Sequence, residues 1–299
     1  MTTVAVVAHA GKSFGGGLGE LRRVLHDAGF PEPLWYEVAK SRQAPKCARQ
    51  AMADGADVLF VWGGDGTVQR CIDAVAGTGA VVALLPAGTA NLLATNLGIP
   101  QDIGEAVEIG LHGDRRSLDT GTVNGERFTV MAGAGLDALM IKDADAGFKD
   151  RFGRAAYLWT GARNLKASPV RATVTVEGRL FHKGNVTCVL VGNVKDVFGG
   201  IEVFDGSRPD DGLLEIGIVT AKSLRQWVRT LGRVVLGRTE RSPFVVTTRG
   251  QKMRVRFDRP IAYELDGGVR EATKDLRIKV RPKSITVCVP GPGLPAQAG

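Results

Sequence analysis

The stretch "VLFVWGGDGTVQRCIDAV" (Val58–Val75) decides how the chain is to be read. Five apolar residues run straight into Gly63-Gly64-Asp65-Gly66-Thr67, after which Val68, Cys71, Ile72, Val75 and Ala76 recur at helical spacing. An unbroken apolar run followed by an amphipathic helix is the pattern of a strand buried on both faces of a parallel sheet. Glycine weakens a helix start that it does not serve, by about 0.5–1 kcal/mol against alanine. Three glycines around one acid at that junction therefore need a reason.

The same alternation extends to either side. Val4–Ala8, Leu34–Val38 and Val81–Leu85 are short apolar runs that predict strands. Between and after them, three sets repeat the helix template: Leu18, Leu21, Val24, Leu25 and Ala28; Ala44, Cys47, Ala48, Ala51 and Met52; Ala90, Leu93, Ala94 and Leu97. Strand and helix in strict turn give an α/β domain with a parallel sheet covered on both sides.

After about Asp119 the pattern changes. "RFTVMA", "VRATVTVEG", "VTCVLVGN", "LLEIGIV", "FVVTT", "MRVRF", "LRIKV" and "SITVCV" are short, β-branched and punctuated by Gly, Asn and Asp, which predicts antiparallel strands in a sandwich-like second domain. Two helical candidates interrupt them, near Arg154–Leu165 and Ser223–Leu236. The division expected is residues 1–118 for the α/β domain and 119–287 for the β-rich one, with 288–299 a candidate to return to the first.

The totals narrow the function classes. A chain of 299 residues with 44% hydrophobic content can fill two cores. A net charge of +8 favours anionic partners. The basic residues are spread rather than gathered in an arm, so no nucleic-acid partner is expected. Cys47, Cys71, Cys188 and Cys288 form no C-x-x-C pair and read as reduced thiols, which suits the cytoplasm. The start "MTTVAVVAHAG" has no basic n-region, and the long uncharged interval from Asp73 to Gln101 is broken by Pro86 and Gly88; neither a signal peptide nor a membrane span is expected. His9, His26, His112 and His182 show no metal-ligand spacing, and no Ser-His-Asp set is visible.

The glycine turn now has a setting. The end of a parallel strand is where such sheets bind ligands, and glycines there let amide N–H groups approach a phosphate at the positive end of the following helix. Asp65 suits a phosphate-bound Mg²⁺ or a sugar hydroxyl; its bland role is to cap the helix. A second turn of this kind follows: strand four ends at Pro86, and Gly88-Thr89-Ala90-Asn91 opens the next helix. Thr89 and Asn91 are candidate partners for phosphate or ribose, or else caps. "AGKS" at Ala10–Ser13 is no P-loop, because the glycine required five residues before Gly11 is Val6.

Gly63-Gly64-Asp65-Gly66-Thr67 with Pro86-Ala87-Gly88-Thr89-Ala90-Asn91 resembles the diacylglycerol kinase catalytic-domain family, which includes bacterial soluble lipid kinases and sphingosine kinases and has NAD kinases and phosphofructokinases as distant relatives. "GAGLDALMIKDADAGFKDRFGRAAYLWTGARNL", "VGNVKDVFGGIEVFDGSRPDDGLLEIGIV" and "YELDGG" are similar to its later segments, so the resemblance covers nearly the whole chain. It implies an NAD kinase-like first domain, ATP on the glycine turns and transfer of the γ-phosphate to a lipid hydroxyl. Gly63, Gly64, Asp65, Gly66, Thr67, Val68, Gln69, Gly88, Thr89 and Asn91 would line the ATP site. "RPDDGL" is similar to a Mg²⁺ loop, which would use the carboxylate of Asp211 and the carbonyls of Arg208 and Leu213; an Asp-Gly hairpin turn explains the same residues.

Asp266 is the candidate base for the attacking hydroxyl. Two residues on, where the family often carries the proton acceptor, stands Gly268, and Glu264 and Glu271 are the other acids at hand. The family's Asn-Pro-x-Ser-Gly turn is replaced by Ala8-His9-Ala10-Gly11-Lys12, its threonine after strand two by Val38 with Ser41 nearby, and the acid after Asn91 by Leu92. The readings that follow are an ATP- and Mg²⁺-dependent lipid kinase peripheral to an anionic membrane surface, a nucleotide- or lipid-binding protein that has lost catalysis, and an NAD kinase-like phosphotransferase. A homo-oligomer is compatible with each. "SLRQWVRTLGRVVLGR" has a basic helical face that suits anionic headgroups or plain solvent.

Overall fold

Parallel strands carry the first half of the computed structural model, which describes residues 2–135, 169–196, 203–204, 206–221, 226 and 243–296. The chain divides into two units, Met1–Asp119 with Pro282–Gly299, and Thr120–Arg281. The first holds β1 (Val4–His9), α1 (Gly17–Asp27), β2 (Leu34–Val38), a 3₁₀ turn (Ser41–Gln43), α2 (Ala44–Ala53), β3 (Val58–Gly63), α3 (Asp65–Val75), β4 (Val81–Pro86), α4 (Leu92–Asn96) and α5 (Ile103–His112). Strand β1 pairs in parallel with β2 and β3, and β3 with β4. Thr286 and Val287, near the end of the chain, pair in parallel with Val81 and Val82. The inner strands are apolar because both faces are covered: Val6, Val7, Leu59, Phe60, Val61, Val82 and Leu85 are all fully enclosed, whereas the edge strand β2 carries an exposed Glu37.

Helix α5 was not anticipated. Its signal is Asp102-x-x-Glu105, in which the Asp102 carboxylate accepts the Glu105 amide at 2.9 Å, an N-cap of the usual kind. Gly104 and Gly110 hid the helical pattern. Gly110 is there for packing, since a Cβ on it would lie 2.2 Å from the Phe60 ring.

The second unit is antiparallel and takes in the end of β5 (Asp114–Val123), β6 (Glu126–Phe128), β7 (Met131–Gly135), β8 (Val170–Val176), β9 (Arg179–Val186), β10 (Cys188–Gly192), β11 (Leu214–Val219), β12 (Val245–Gly250), β13 (Lys252–Leu265) and most of β14 (Gly268–Val289). Its sheet runs β12-β11-β10-β7-β13-β14, with β8 on β13 and β9 on β8. Inward residues such as Phe128, Val174, Val191, Ile216, Val255 and Ile278 form one core. Asn124-Gly125, Glu177-Gly178 and Asp266-Gly267 are two-residue hairpin turns with positive φ at both positions.

Two details differ from the strand pattern in the sequence. "RFTVMA" is broken at Thr129 and Val130, whose amides are diverted to the Asp266 carboxylate. "LRIKV" and "SITVCV" are one strand, β14, carried past Pro282 by Lys283 in the left-handed region (φ 46°). The helical candidate near Arg154–Leu165, all of the one near Ser223–Leu236 except Gln226, and most of "GAGLDALMIKDADAGFKDRFGRAAYLWTGARNL" lie outside the described residues.

Candidate functional site

In the first unit the glycine turns meet at the carboxyl ends of β3 and β4. Gly63 stands beside Pro86 in the register, and the Ala87 amide donates to the Gly63 carbonyl at 3.0 Å. A Cβ on Gly88 would lie 2.4 Å from the Gly64 Cα, so the two turns are in backbone contact. A Cβ on Gly63 would strike the Thr67 side chain at 2.6 Å. Gly66 is different, for a Cβ there meets nothing within 4 Å. Packing explains Gly63, Gly64 and Gly88; it leaves Gly66 as the glycine that keeps open the face of the first turn of α3.

That helix starts without a side-chain cap. The Thr67 and Val68 amides turn back onto the Gly64 carbonyl at 2.9 and 3.1 Å, and the helix dipole makes this end of α3 electrically positive. The side chains of Thr67, Val68 and Gln69 are buried and turned into the packing of the unit. Thr67 is 1% exposed, and its Oγ1 lies 2.9 Å from the Ser41 hydroxyl. Ser41, just past β2, is thereby tied to the glycine turn, a link that sequence spacing could not display. Asp65 does not cap its own helix; its Oδ1 accepts the Leu93 amide of α4 at 3.4 Å and joins the two turns again.

Asn91 holds the second turn. Its backbone is left-handed (φ 48°), its Oδ1 accepts the Gly88 amide at 2.8 Å, and its Nδ2 donates to the Gly88 carbonyl at 2.9 Å and to that of Pro86 at 3.4 Å. Its side chain is thus engaged on the turn itself. Thr89 is exposed beside it. The turn after β1 also reaches this edge: Trp62 donates its indole N–H to the Lys12 carbonyl at 3.0 Å and stacks on Phe14 at 4.7 Å between centroids.

In the second unit Asp266 is 4% exposed and accepts four hydrogen bonds. Oδ2 takes the amide and hydroxyl of Thr129 at 2.7 and 2.8 Å; Oδ1 takes the amides of Val130 and Met131, both at 2.9 Å. Burial pushes its carboxyl above the ordinary range, and the donors of Met131, Thr129 and Val130 pull the other way by favouring the charged form. Asp266 therefore holds the β6–β7 connection, a role that the Asp-Gly motif did not reveal.

At Gly268 a Cβ would lie 2.6 Å from Arg270 Nη1, so the guanidinium occupies the space next to the position where the resemblance expects an acid. Arg270 is clamped on Glu126, its Nε 2.9 and 2.8 Å from the two oxygens and its Nη2 on Oε1, and this hydrogen bonding raises its pKa. Glu264 is fully buried, with Oε2 accepting the Gly267 amide at 2.8 Å, and Glu271 is exposed. In the Asp211-Gly212 turn, Asp211 Oδ1 accepts the Leu213 amide at 3.0 Å, while the Arg208 side chain pairs with Asp210 at 3.3 Å. Among the described residues no three His, Cys, Asp or Glu side chains gather as a metal cluster.

A doubly glycine-lined strand edge at an uncapped helix, followed by a β-rich unit, defines an α/β domain of parallel strands joined to an antiparallel, β-rich domain. Residues 4–123 match the model of the diacylglycerol kinase catalytic domain, and residues 130–289 that of the YegS C-terminal NAD kinase beta sandwich-like domain. The chain belongs to the diacylglycerol kinase catalytic-domain family. It is 31% identical to the "Probable lipid kinase YegS-like" protein of Pseudomonas fluorescens over 83% of this chain and 82% of that one. It is 26% identical to the diacylglycerol kinase of Bacillus subtilis over 84% and 83%. A crystal structure of a Bacillus anthracis diacylglycerol kinase superposes with a TM-score of 0.76 at 23% identity, covering 97% of each chain, which shows the shared fold. Among the described residues no helix is long and apolar enough to cross a membrane.

Proposed function

We propose that the protein is an ATP- and Mg²⁺-dependent lipid kinase that transfers the γ-phosphate to a lipid hydroxyl, as a diacylglycerol kinase does. The observation that carries this reading is Gly66: the one glycine of the motif that internal packing does not require sits on the first turn of α3, where a nucleotide phosphate needs close backbone approach. The phosphates of ATP would lie on the amides at the start of α3, with the Thr89 hydroxyl beside them. Asp65 and Asn91 keep the two turns in register.

The turn at Arg208, Asp211 and Leu213 offers one carboxylate and two carbonyls, an all-oxygen set suited to Mg²⁺. The ion would supply charge neutralisation at Asp211 and order that turn. Phosphoryl transfer asks the protein mainly for positioning and charge balance, and for an acceptor of the hydroxyl proton. Asp266 takes that role in this reading. Of its four donors the Thr129 hydroxyl alone can rotate away, which releases a lone pair on Oδ2.

The second reading, a binding protein without turnover, is favoured by Gly268 and the Arg270 guanidinium beside it. Transfer of label from [γ-³²P]ATP to diacylglycerol, ceramide, sphingosine and phosphatidylglycerol in mixed micelles with Mg²⁺, with NAD as soluble control, separates them. Label on a lipid supports the kinase. Label on NAD alone, or ATP binding with no label on any acceptor, overturns it.

A further inference from the structure

The outward face of the β8–β13–β14 sheet pairs like charges. Lys252 stands directly opposite Lys279, and Arg254 directly opposite Arg277. Like charges directly opposite one another across an antiparallel pair are destabilising, so these two rows by themselves do not serve the fold. The next row places Arg256 opposite Asp275, and Asp275 is already held by Arg254 at 2.7 and 2.8 Å and by Arg277 at 3.1 Å. Glu177, at the nearby hairpin, spends its carboxylate on the amides of Gln251 and Lys252. The face thus stays strongly positive. On the β14 side it borders a cleft of about 450 Å³ lined by Arg277, Lys279 and Arg281 together with Asp275, Thr122, Asn124 and Thr273. The Thr122 hydroxyl and the Asn124 amide are spent on backbone groups, so the cations are what the cleft offers a phosphate headgroup.

A second feature shares this face. Thr175 pairs with Arg254 on one side and with Leu180 on the other, so Leu180 lies in the same row as Arg254 and Arg277. Leu180 is 63% exposed, an apolar side chain held out at one end of a row that carries Arg254 and Arg277 further along. No aromatic ring stands in these rows to stack a base, as single-stranded nucleic acid would want. Cations around an exposed leucine fit the headgroup and upper acyl region of an anionic bilayer.

We propose that the β8–β13–β14 face docks the protein on an anionic membrane surface, with Lys252, Arg254, Arg277 and Lys279 on headgroup phosphates and Leu180 entering the interface. The inference rests on the lipid-kinase reading, since such an enzyme meets its substrate at a bilayer. The experiment is co-sedimentation of the full chain with phosphatidylcholine vesicles, with and without phosphatidylglycerol, at low and high salt. The wild type binds only the anionic vesicles, and salt releases it. The double variant Lys252→Gln/Lys279→Gln binds roughly 25-fold more weakly, about fivefold per cation removed. Its melting temperature is unchanged or higher, because a like-charge pair has gone. Asp275→Asn binds about fivefold more tightly, a gain that misfolding cannot produce. Leu180→Ser weakens binding without altering its salt dependence.

Unchanged vesicle binding in the double variant overturns the proposal. So does wild-type binding to an oligonucleotide through the same lysines in preference to the vesicles. Lipid phosphorylation in mixed micelles is followed in parallel. If it persists while vesicle binding ignores these residues, the surface is wrong and the kinase reading stands. If no lipid is labelled while vesicle binding follows the charges, the kinase reading fails and the surface stands.

Discussion

Gly64 and Gly88 touch backbone to backbone, the Cα of Gly64 lying 2.4 Å from where a Cβ on Gly88 would be. The contact joins the ends of β3 and β4, and it gives the glycines of one motif unequal tasks. Gly88→Ala drives a methyl into a neighbouring main chain and costs about 1–3 kcal/mol, together with ATP binding as the turns part. Gly66→Ala meets no protein atom and improves a helical position by about 0.5–1 kcal/mol. It is expected to raise the melting temperature while weakening ATP at least about tenfold, as backbone approach to the phosphates is blocked. Thermal melts with and without ATP check both. A Gly66→Ala variant with full ATP affinity would remove the main support for the phosphate site.

Asn91 bonds both the amide and the carbonyl of Gly88. Asn91→Gly keeps the left-handed backbone and deletes the clamp, at a cost of about 1–3 kcal/mol. Asn91→Ala adds backbone strain and is expected to cost more. If Asn91 acts through the turn, both variants lower ATP affinity in step with stability. Loss of affinity at unchanged stability in Asn91→Gly would instead mark a direct contact with nucleotide.

The α/β half was legible because its signals are local. Strands buried on both faces must be apolar throughout, and Val58–Trp62 could be little else. The β-rich half was legible as a class, yet its long-range pairings were not: nothing in "RFTVMA" announces that Thr129 and Val130 serve a carboxylate 136 or more residues away. In the glycine motifs the pattern located the edge but not the division of labour. Asn91 reads as a ligand and engages the turn; Asp65 reads as a partner for a metal or a sugar hydroxyl, or else a cap for its own helix, and bonds the next helix. Ser41 owes its place to the β1–β2 pairing, which only folding creates. The like-charge rows of β13 and β14 are set by register, and a turn displaced by one residue would have erased them.

Metal removal tests the Asp211 turn. If Mg²⁺ is held there, EDTA lowers the melting temperature of the wild type, and added Mg²⁺ restores it. Asp211→Asn should show the lower value in both conditions. A wild-type melt indifferent to Mg²⁺ would exclude a structural ion at this turn.

Asp275 gives the pH dependence of the basic face. The Arg254 fork, helped by Arg277, holds its carboxyl below the ordinary carboxylate range. A depressed folded pKa means the stabilisation is complete above the unfolded value, near pH 4, and is lost as pH falls through the folded one. The stability difference between wild type and Asp275→Asn should therefore be constant at neutral pH and shrink steadily in acid. A difference that grew on acidification would contradict the ion pair.

Asp266 carries the sharpest test, because its two roles give different signatures. As a clamp it fixes the Thr129–Met131 segment; as a base it must also release a lone pair. Asp266→Asn turns an amide N–H₂ toward donors, leaves buried amides unsatisfied and costs about 3 kcal/mol or more. Activity lost in that variant is ambiguous by itself. Thr129→Val removes only the rotatable donor, leaving Oδ2 with the Thr129 amide. If Asp266 takes the hydroxyl proton, Thr129→Val keeps lipid phosphorylation, and the acid limb of its pH profile moves up, as a carboxylate with one donor fewer binds a proton more readily. If the clamp is the whole role, the profile stays where it was and activity follows stability alone. Measuring kcat against pH in both proteins decides between them, and an unmoved acid limb would transfer the search for the base to the carboxylates near Gly268.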